Sequence, residues 1–340
     1  MKRYFVTGGA GFIGSAFIHL ILGETDDIAV TNYDALTYSG NLENLTGIES
    51  DRYEFVKGDI RDADAVMAAM PTDVDAVINF AAESHVDRSI ASAHEFVTTN
   101  VVGTQVLLDA ARQKGARRFC QISTDEVMGS LPDDSDEVFT DGSPFAPNSP
   151  YAASKAAAEH LVRAARETFG LDTVITRCGN NYGPRQFPEK LIPLMIANAL
   201  TDEPLPVYGD GGNVRDWIFV VDHCRAIRQI VEEAPTGETY NIGARNERKN
   251  LDVVKAILDA LDKPHSLLTF VKDRPGHDRR YAIDAAKIES LGWRPQETWT
   301  TGLEKTINWY LKNPDWVARV RSGDYLEYYR RQYGTEASAK

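Results

Sequence analysis

Short apolar, β-branched runs alternate with longer stretches of helical periodicity through about the first 180 residues of the chain. The runs that predict strands are 4–6, 28–30, 53–56, 76–78, 119–122 and 173–175, and the helical stretches are 11–22, 62–70, 94–114 and 149–169. Alternation of this kind predicts βαβ units that build a parallel sheet covered by helices. The expected fold class is therefore α/β.

The pattern changes after Cys178, where proline and glycine become frequent and the strict alternation is lost. We therefore predict a first domain over residues 1–178 and a smaller α/β region, mainly for substrate binding, over residues 179–330. Segments near 217–243 have strand and helix patterns of their own and could rejoin the first sheet.

A glycine-rich loop lies at the first predicted strand-to-helix junction. Gly9, Gly11 and Gly14 match the spacing G-x-G-x-x-G, and Gly8, Gly11 and Gly14 match G-x-x-G-x-x-G. Glycines at this place allow a tight turn and close approach of a pyrophosphate to the helix N-terminus. A plain βα turn is the alternative. Asp34 ends the second strand, where an acid accepts ribose hydroxyls and repels a 2′-phosphate, so we predict NAD bound to a Rossmann-like, doubly wound sheet.

Two further stretches belong to the predicted cofactor site. Asp59 and Ile60 follow the third strand and are candidate adenine contacts, although Asp59 could equally be a turn acid that caps the next helix. Phe80, Ala81 and Ala82 close the fourth strand with two small residues, as close approach of a cofactor requires.

Tyr151 and Lys155 are spaced i and i+4 on one predicted helix, which Ser149 caps and Pro150 begins. An ammonium beside a phenol lowers the pKa of that phenol, as does the charge of an oxidised nicotinamide. Such a tyrosine can take a proton from a sugar hydroxyl while hydride leaves to NAD. A surface pair is the alternative, but together with the glycine loop this pair resembles the extended short-chain dehydrogenase/reductase superfamily.

Thr124, Asp125 and Glu126 end the fifth predicted strand, at the edge where parallel sheets bind ligands. One carboxyl group can remove a proton next to a ketone, and the other can protonate a leaving hydroxyl, if their environments separate the two pKa values. A polar turn with a helix cap is the alternative. Simple oxidation or epimerisation needs no such pair, so the pair favours dehydration.

Longer motifs make the resemblance specific. The motifs that carry it are Thr124–Glu126, Tyr151 with Lys155, Ala82–Ser89, Asn180–Pro184, Phe187–Pro193, Arg215–Trp217 and Asp273–Tyr281. Together they resemble the dTDP-glucose 4,6-dehydratase family from the first strand to about Tyr310. The resemblance implies that Tyr151 takes the C4 hydroxyl proton as NAD+ takes the C4 hydride. Glu126 then removes the C5 proton, Asp125 protonates the C6 hydroxyl, and the hydride returns to C6.

The resemblance also implies the ligand contacts. The catalytic group is Thr124, Asp125, Glu126, Tyr151 and Lys155. The cofactor contacts are Gly8, Gly11, Phe12, Ile13, Gly14, Asp34, Asp59, Ile60, Phe80, Ala81, Ala82, Ser84, Thr99, Ser123, Tyr151, Lys155 and Asn181. The contacts with the nucleotide sugar are Ser84, Thr124, Asn180, Lys190, Leu191, Pro206, Tyr208, Arg215, Asn250, Arg274 and His277. Arg215 and Arg274 are the expected diphosphate clamps, since guanidinium binds phosphate in a bidentate fork, with surface ion pairs as the alternative.

Several positions depart from the family pattern. Met128 replaces a tyrosine, Gly179 a serine, and Arg185 an aromatic residue, and the segment 130–147 is shorter than in many relatives. Met128 is expected to remove a polar contact near the sugar. The open alternatives are a UDP-hexose 4,6-dehydratase, another nucleotide-sugar epimerase or dehydratase of this fold, and a non-catalytic NAD-binding sensor.

Charge and cysteine content limit the partners. The formal net charge of −13 argues against nucleic acid or a membrane surface as partner, but Lys190, Arg215, Arg274, Arg279 and Arg280 are expected to form local basic clusters. The 3 cysteines suggest neither a disulfide framework nor a metal site. The opening residues have too few apolar side chains for a signal peptide, and no apolar run is long enough for a membrane span, so a cytoplasmic protein is expected. Helices over 97–111 and 152–165 are expected to form a homodimer interface, with packing against the sheet as the alternative.

Overall fold

The structure, a computed structural model, describes residues 1–133 and 135–322. Its strands are β1 (Lys2–Thr7), β2 (Ile28–Asp34), β3 (Tyr53–Lys57), β4 (Ala76–Asn79), β5 (Phe119–Thr124), β6 (Thr173–Cys178), β7 (Asn180–Tyr182), β8 (Leu205–Tyr208), β9 (Val214–Phe219), β10 (Thr239–Ile242), β11 (Glu247–Lys249) and β12 (Leu268–Val271). Each predicted strand of the first 178 residues is present.

The α-helices are α1 (Phe12–Glu24), α2 (Ala63–Ala69), α3 (Val86–Ala91), α4 (His94–Phe96), α5 (Thr104–Gln113), α6 (Pro150–Phe169), α7 (Leu191–Leu200), α8 (Val220–Glu233), α9 (Asn250–Ala260), α10 (Ala286–Ser290), α11 (Trp299–Lys312) and α12 (Pro314–Val320). A π-helical stretch, Val97–Gly103, joins α4 to α5, and short 3-10 helices span Leu42–Leu45, Asp125–Met128 and His265–Leu267. The helix predicted over 94–114 therefore exists with a π-helical segment inside it.

The main sheet has seven parallel strands in the order β10-β6-β5-β4-β1-β2-β3. The order changes direction between β1 and β4, which makes the sheet doubly wound and confirms the predicted fold class. Successive side chains of β1 face opposite sides, so Tyr4 and Val6 join one hydrophobic core while Phe5 joins the other. Burial on both faces explains why these strands are almost continuously apolar.

The later part of the chain contributes to two regions. β10 pairs with β6, and α8 packs against α1, so both lie with the main sheet. β9 pairs instead with β7 and β11 in a small three-stranded sheet, and β8 pairs with β12. A separate hydrophobic core is built around α7, α9 and α11, including Ile196, Val254 and Ile307.

In the described part of the chain, no helix is both long and apolar enough to cross a bilayer. Within the same residues, no group of three or more histidine, cysteine or acidic side chains is placed to hold a metal ion.

Candidate functional site

A cleft of about 400 Å³ opens at the carboxyl ends of the main-sheet strands. The side chains meet there because parallel strands end at the same edge of a sheet. Its walls contain 23 of the residues singled out from the sequence, namely Gly8, Gly11, Phe12, Ile13, Gly14, Asp34, Asp59, Ile60, Phe80, Ala81, Ala82, Ser84, Thr99, Ser123, Thr124, Asp125, Glu126, Tyr151, Lys155, Asn180, Asn181, Lys190 and Leu191.

The glycine loop separates into two roles. Gly8 has φ +71°, and a side chain there would lie 2.6 Å from the Ala81 backbone nitrogen, while a Cβ at Gly14 would overlap the Gly8 carbonyl oxygen. Gly9 instead packs against Asn32 and Ile18, away from the cleft. The cleft therefore uses the Gly8, Gly11 and Gly14 spacing, and Gly9 is a packing residue.

The charge at this end of the cleft suits a dinucleotide. The first residues of helix α1, Phe12, Ile13 and Gly14, line the cleft. The first turn carries no acidic residue, so no carboxylate of the helix itself competes with a phosphate for its free N–H groups. The Asp34 carboxylate accepts hydrogen bonds from the Ala10 and Leu36 backbone nitrogens, both at 2.8 Å. Burial nevertheless raises the pKa of Asp34. The cradle and the oriented acid fit the pyrophosphate and the ribose of NAD.

Asp59 lies in the cleft wall and is paired with Arg61 at 2.6 Å. The cap of the following helix is Asp62, whose side chain accepts from the Ala65 backbone nitrogen at 3.0 Å. The capping role considered for Asp59 is therefore filled by Asp62, and the adenine contact of Asp59 stays a prediction.

Helix α6 carries the tyrosine and the lysine. Ser149 caps it by accepting from the Ala152 backbone nitrogen at 3.1 Å, and Pro150 is its first residue, as the sequence predicted. Lys155 donates to the Ile122 carbonyl oxygen at 2.6 Å, and burial lowers its pKa to about 8.

The pKa of Tyr151 corrects one expectation. Burial raises it well above the usual value and the Glu126 carboxylate adds to the rise, while a hydrogen bond with Thr124 opposes it. The expected lowering by Lys155 is wrong for the protein by itself, because burial penalises the phenolate more than its neighbours favour it.

The two adjacent carboxyl groups sit in different surroundings. Burial and the neighbouring Glu126 raise the pKa of Asp125 well above its usual value, and its Oδ2 has no hydrogen-bond partner among the described residues. Burial also raises the pKa of Glu126, but Arg274, Lys190 and Arg215 oppose that rise. The pair thus combines a carboxyl group that favours its neutral form with one held among three cations.

Six of the proposed sugar-nucleotide contacts lie outside the cleft wall, beside it in the smaller region: Pro206, Tyr208, Arg215, Asn250, Arg274 and His277. Arg215 donates to the Asp278 carbonyl oxygen at 2.8 Å and lies 4.2 Å from the centre of the Tyr281 ring. His277 lies 2.6 Å from Asp273, and burial lowers its pKa to about 4. Pro206 lies in β8, and Asn250 begins α9 with its Oδ1 buried and without a partner in the described part.

Two of the expected cations and two of the departures from the family pattern lie outside the cleft wall. Arg279 pairs with Asp133 and Asp210 at 2.7 and 2.8 Å, and Arg280 pairs with Glu247 at 2.8 Å, so neither belongs to the site cluster. Met128 is 3% exposed in an apolar cluster and is not part of the cleft wall, so its effect on the sugar stays a prediction. Arg185 lines a separate cavity with Arg319 and Trp316.

Sequence reasoning missed a buried network behind the catalytic residues. Glu159 accepts from the Ser123 hydroxyl at 2.5 Å and from Arg177 at 2.8 Å. His223 lies 2.9 Å from the Asn181 side-chain oxygen, and burial lowers its pKa to about 3, so it is neutral. No local pattern marks these residues, because their partners are far away along the chain.

Comparisons with known proteins agree with this geometry. A family model described as GDP-mannose 4,6 dehydratase matches residues 5–306. A dTDP-glucose 4,6-dehydratase of Neisseria meningitidis serogroup B is 55% identical over 350 residues, which is 96% of this chain and 98% of the relative.

Solved structures extend the likeness to three dimensions. The dTDP-glucose 4,6-dehydratase DesIV of Streptomyces venezuelae, solved with NAD and dTDP bound, is 47% identical with a TM-score of 0.91, covering 94% of this chain and 100% of that one. A UDP-glucose 4-epimerase of Thermus thermophilus in complex with NAD is 30% identical with a TM-score of 0.84, covering 92% of this chain and 100% of that one. The fold is thus shared by dehydratases and epimerases.

Proposed function

Because this chain belongs to the dTDP-glucose 4,6-dehydratase family of extended short-chain dehydrogenases/reductases, we propose that it converts dTDP-glucose to dTDP-4-keto-6-deoxy-glucose and water. The enzyme is an NAD-dependent hydro-lyase. The relatives that match nearly the whole chain are named dTDP-glucose 4,6-dehydratases, which supports dTDP as the nucleotide of the substrate. The proposed catalytic residues support the reaction type.

One observation carries the dehydration. Asp125 and Glu126 lie in the same cleft as Tyr151, and burial raises the pKa of both carboxyl groups, but three cations, Arg274, Lys190 and Arg215, oppose the rise at Glu126. Elimination of water needs both an acid for the leaving hydroxyl and a base for the C5 proton, whereas epimerisation at C4 needs neither. The pair therefore supports a dehydratase over an epimerase of this fold.

Each protein group has a defined task. Bound NAD would accept the hydride of C4 and return it to C6. Tyr151 takes the C4 hydroxyl proton as its phenolate, a form that the positive charge of bound NAD+ would favour against the effect of burial, and Thr124 aligns the Tyr151 oxygen through their hydrogen bond. Lys155 is fixed on the Ile122 carbonyl oxygen, at the end of the strand that presents the carboxyl pair.

The elimination follows from the two carboxyl groups. Glu126 removes the C5 proton, made acidic by the C4 ketone, and its ionised form is favoured by Lys190, Arg215 and Arg274. Asp125 is kept protonated by burial and gives its proton to the C6 hydroxyl, which leaves as water. The proton held by Glu126 then returns to C5.

Isotope tracing tests the proposal. We expect dTDP-glucose carrying deuterium at C4 to yield a product with deuterium at C6 and with the mass of one water lost. UDP-glucose and a GDP-hexose, assayed in parallel, serve as controls for the nucleotide and should turn over more slowly. Retention of deuterium at C4, or a faster reaction with another nucleotide, would contradict the proposed reaction or the proposed substrate respectively.

The assembly we propose is a homodimer in the cytoplasm. Val97 and Val102 are each 48% exposed on the segment between α4 and α5, and this segment packs beside α6. Two copies of these helices would cover the exposed valines in a four-helix contact. The 3 cysteines are buried and unpaired, as is usual in a reducing compartment. Light scattering that gives the mass of one chain would contradict the dimer.

A further inference from the structure

We propose that Asp87 is a positioning residue that holds Arg274 and Tyr208 ready for the diphosphate of the sugar nucleotide. The proposal rests on the proposed function, because it assigns the partner of that same ligand. Asp87 lies in helix α3 and is not part of the cleft wall, so it acts through the two side chains that it binds.

The contacts of Asp87 join the two regions of the molecule. Its side chain is only 7% exposed; one carboxylate oxygen lies 3.5 Å from Arg274 Nη1, and the other accepts from the Tyr208 hydroxyl at 3.2 Å. Tyr208 ends β8 and Arg274 follows β12, which pair with each other in the smaller region. One carboxylate from the first part of the chain therefore fixes two neighbouring side chains from the second.

The guanidinium of Arg274 has a hydrogen-bond donor left over. Its Nε is buried and has no partner in the described part of the chain, while Nη1 faces Asp87. A buried donor without an acceptor is costly unless a ligand supplies one. A phosphate oxygen is the acceptor that this donor fits best, because guanidinium and phosphate form charge-assisted bonds.

Asp87 also competes with the catalytic base. Asp87 and Glu126 are the two carboxylates that raise the pKa of Arg274 against the effect of its burial. Asp87 therefore supplies Arg274 with a counter-charge in addition to Glu126, and its contact with Nη1 holds the guanidinium in place.

The neighbouring residues make the same connection. The Ser84 carbonyl oxygen accepts from Lys190 Nζ at 2.6 Å, and Arg88 pairs with Glu189 at 3.1 Å. Residues 84–88 thus contact several segments that carry proposed substrate contacts. Within this stretch, Asp87 makes the ion pair with Arg274.

The test replaces Asp87 by asparagine, which keeps the shape and removes the charge. We expect Asp87→Asn to raise the KM for dTDP-glucose and the Kd for dTDP at least about tenfold, the equivalent of one lost charge-assisted hydrogen bond. The effect should fall on KM more than on kcat, and the amount of bound NAD should not change. Asp87→Glu, which restores the charge, should recover part of the affinity.

Asp133→Asn is the matched control, because Asp133 makes the same type of pair with Arg279 outside the site. The proposal is overturned if Asp87→Asn binds dTDP as the wild type does, if the control weakens dTDP equally, or if NAD and dTDP are lost together. Should Asp87→Asn not fold, Asp87→Glu decides by the same comparison of dTDP and NAD binding. A wild type that binds dTDP but does not convert dTDP-glucose would instead refute the proposed function.

Discussion

At the scale of single residues, the proposed chemistry depends on two adjacent carboxyl groups whose different surroundings affect their pKa values differently. Asp125 and Glu126 are neighbours in the chain, yet Arg274 and Lys190 oppose the rise that burial causes in the pKa of Glu126, whereas Asp125 has Glu126 itself as a repelling neighbour. A low-dielectric cleft penalises an ionised carboxylate unless cations face it. Acid and base are thus assigned by neighbours rather than by residue type.

Replacement of Glu126 by glutamine tests the base. We expect Glu126→Gln to lower kcat by about 10²–10⁴-fold, since a positioned general base contributes that much, and to stop solvent exchange at C5. Single-turnover assays should then detect a 4-keto sugar that has kept its C6 hydroxyl. The same change at Glu167, an exposed acid on α6, should leave kcat unchanged. Turnover of Glu126→Gln near the wild-type rate would exclude this role.

The buried acid also predicts a pH dependence of stability. The folded-state pKa of Asp125 lies above its usual value of about 3.9. A raised pKa means that stability is lost as the pH rises from that usual value through the folded-state pKa. We therefore expect Asp125→Asn to melt at a higher temperature than the wild type at about pH 8, with the difference vanishing near pH 4. Parallel melting curves across that range would contradict the buried, protonated acid.

At the scale of elements, helix ends place the reactive groups. Ser149 caps α6 two residues before Tyr151, so the bond that begins the helix also orients its first turn. Thr124 likewise begins the short 3-10 helix of the carboxyl pair, and its hydroxyl accepts from the Glu126 backbone nitrogen at 3.3 Å. The predicted cap is therefore present at Thr124, and it does not exclude the proposed catalytic role of the same residue.

Removal of the α6 cap should cost both stability and activity. Ser149→Ala is expected to lower the free energy of unfolding by about 1 kcal/mol and also to lower kcat. Thr298→Ala, which removes the cap of α11, should cost similar stability with kcat unchanged, since α11 carries no proposed site residue. Denaturant titration and steady-state kinetics on both variants measure this, and equal kcat values would contradict the link between cap and chemistry.

At the scale of the whole molecule, the net charge of −13 coexists with a cationic ligand site. Screening limits the reach of an exposed charge to about 8–10 Å, so the global sum says little about one pocket. Lys190, Arg215 and Arg274 come from separate segments, yet all three act on Glu126. The fold therefore gathers a local positive site in an acidic protein.

Cofactor binding should stabilise the entire chain, because NAD contacts the ends of several main-sheet strands in the proposed site. We expect the melting temperature to rise with added NAD. The free energy of unfolding should increase by about 4 kcal/mol when the NAD concentration is a thousand times Kd. Gly14→Ala should abolish the rise, because its Cβ would overlap the Gly8 carbonyl oxygen. Gly23→Ala, in the same helix but with open space around the Cβ, should keep it. If NAD raised the melting temperature of Gly14→Ala as much as that of the wild type, the proposed pyrophosphate site at the glycine loop would be refuted.

Local pattern was sufficient for much of this molecule. Periodicity predicted the parallel sheet, and capping chemistry predicted the start of α6 at Pro150. The glycine loop predicted a nucleotide cradle but left its spacing open, and the Gly9 contact with Asn32 resolved that choice. These features could be predicted because they depend on residues close together in the chain.

Only the tertiary structure decided which distant groups meet. Asp87 and Arg274 are 187 positions apart, and no spacing rule connects them. The rise in the pKa of Tyr151 likewise comes from burial, which depends on everything packed around the phenol. Residue types and short spacings, by themselves, determined the sheet and the cofactor class, and they gave the catalytic set as a prediction. The path of the folded chain determined the partners and the protonation states, because Coulombic and desolvation energies depend on distance in space rather than in sequence.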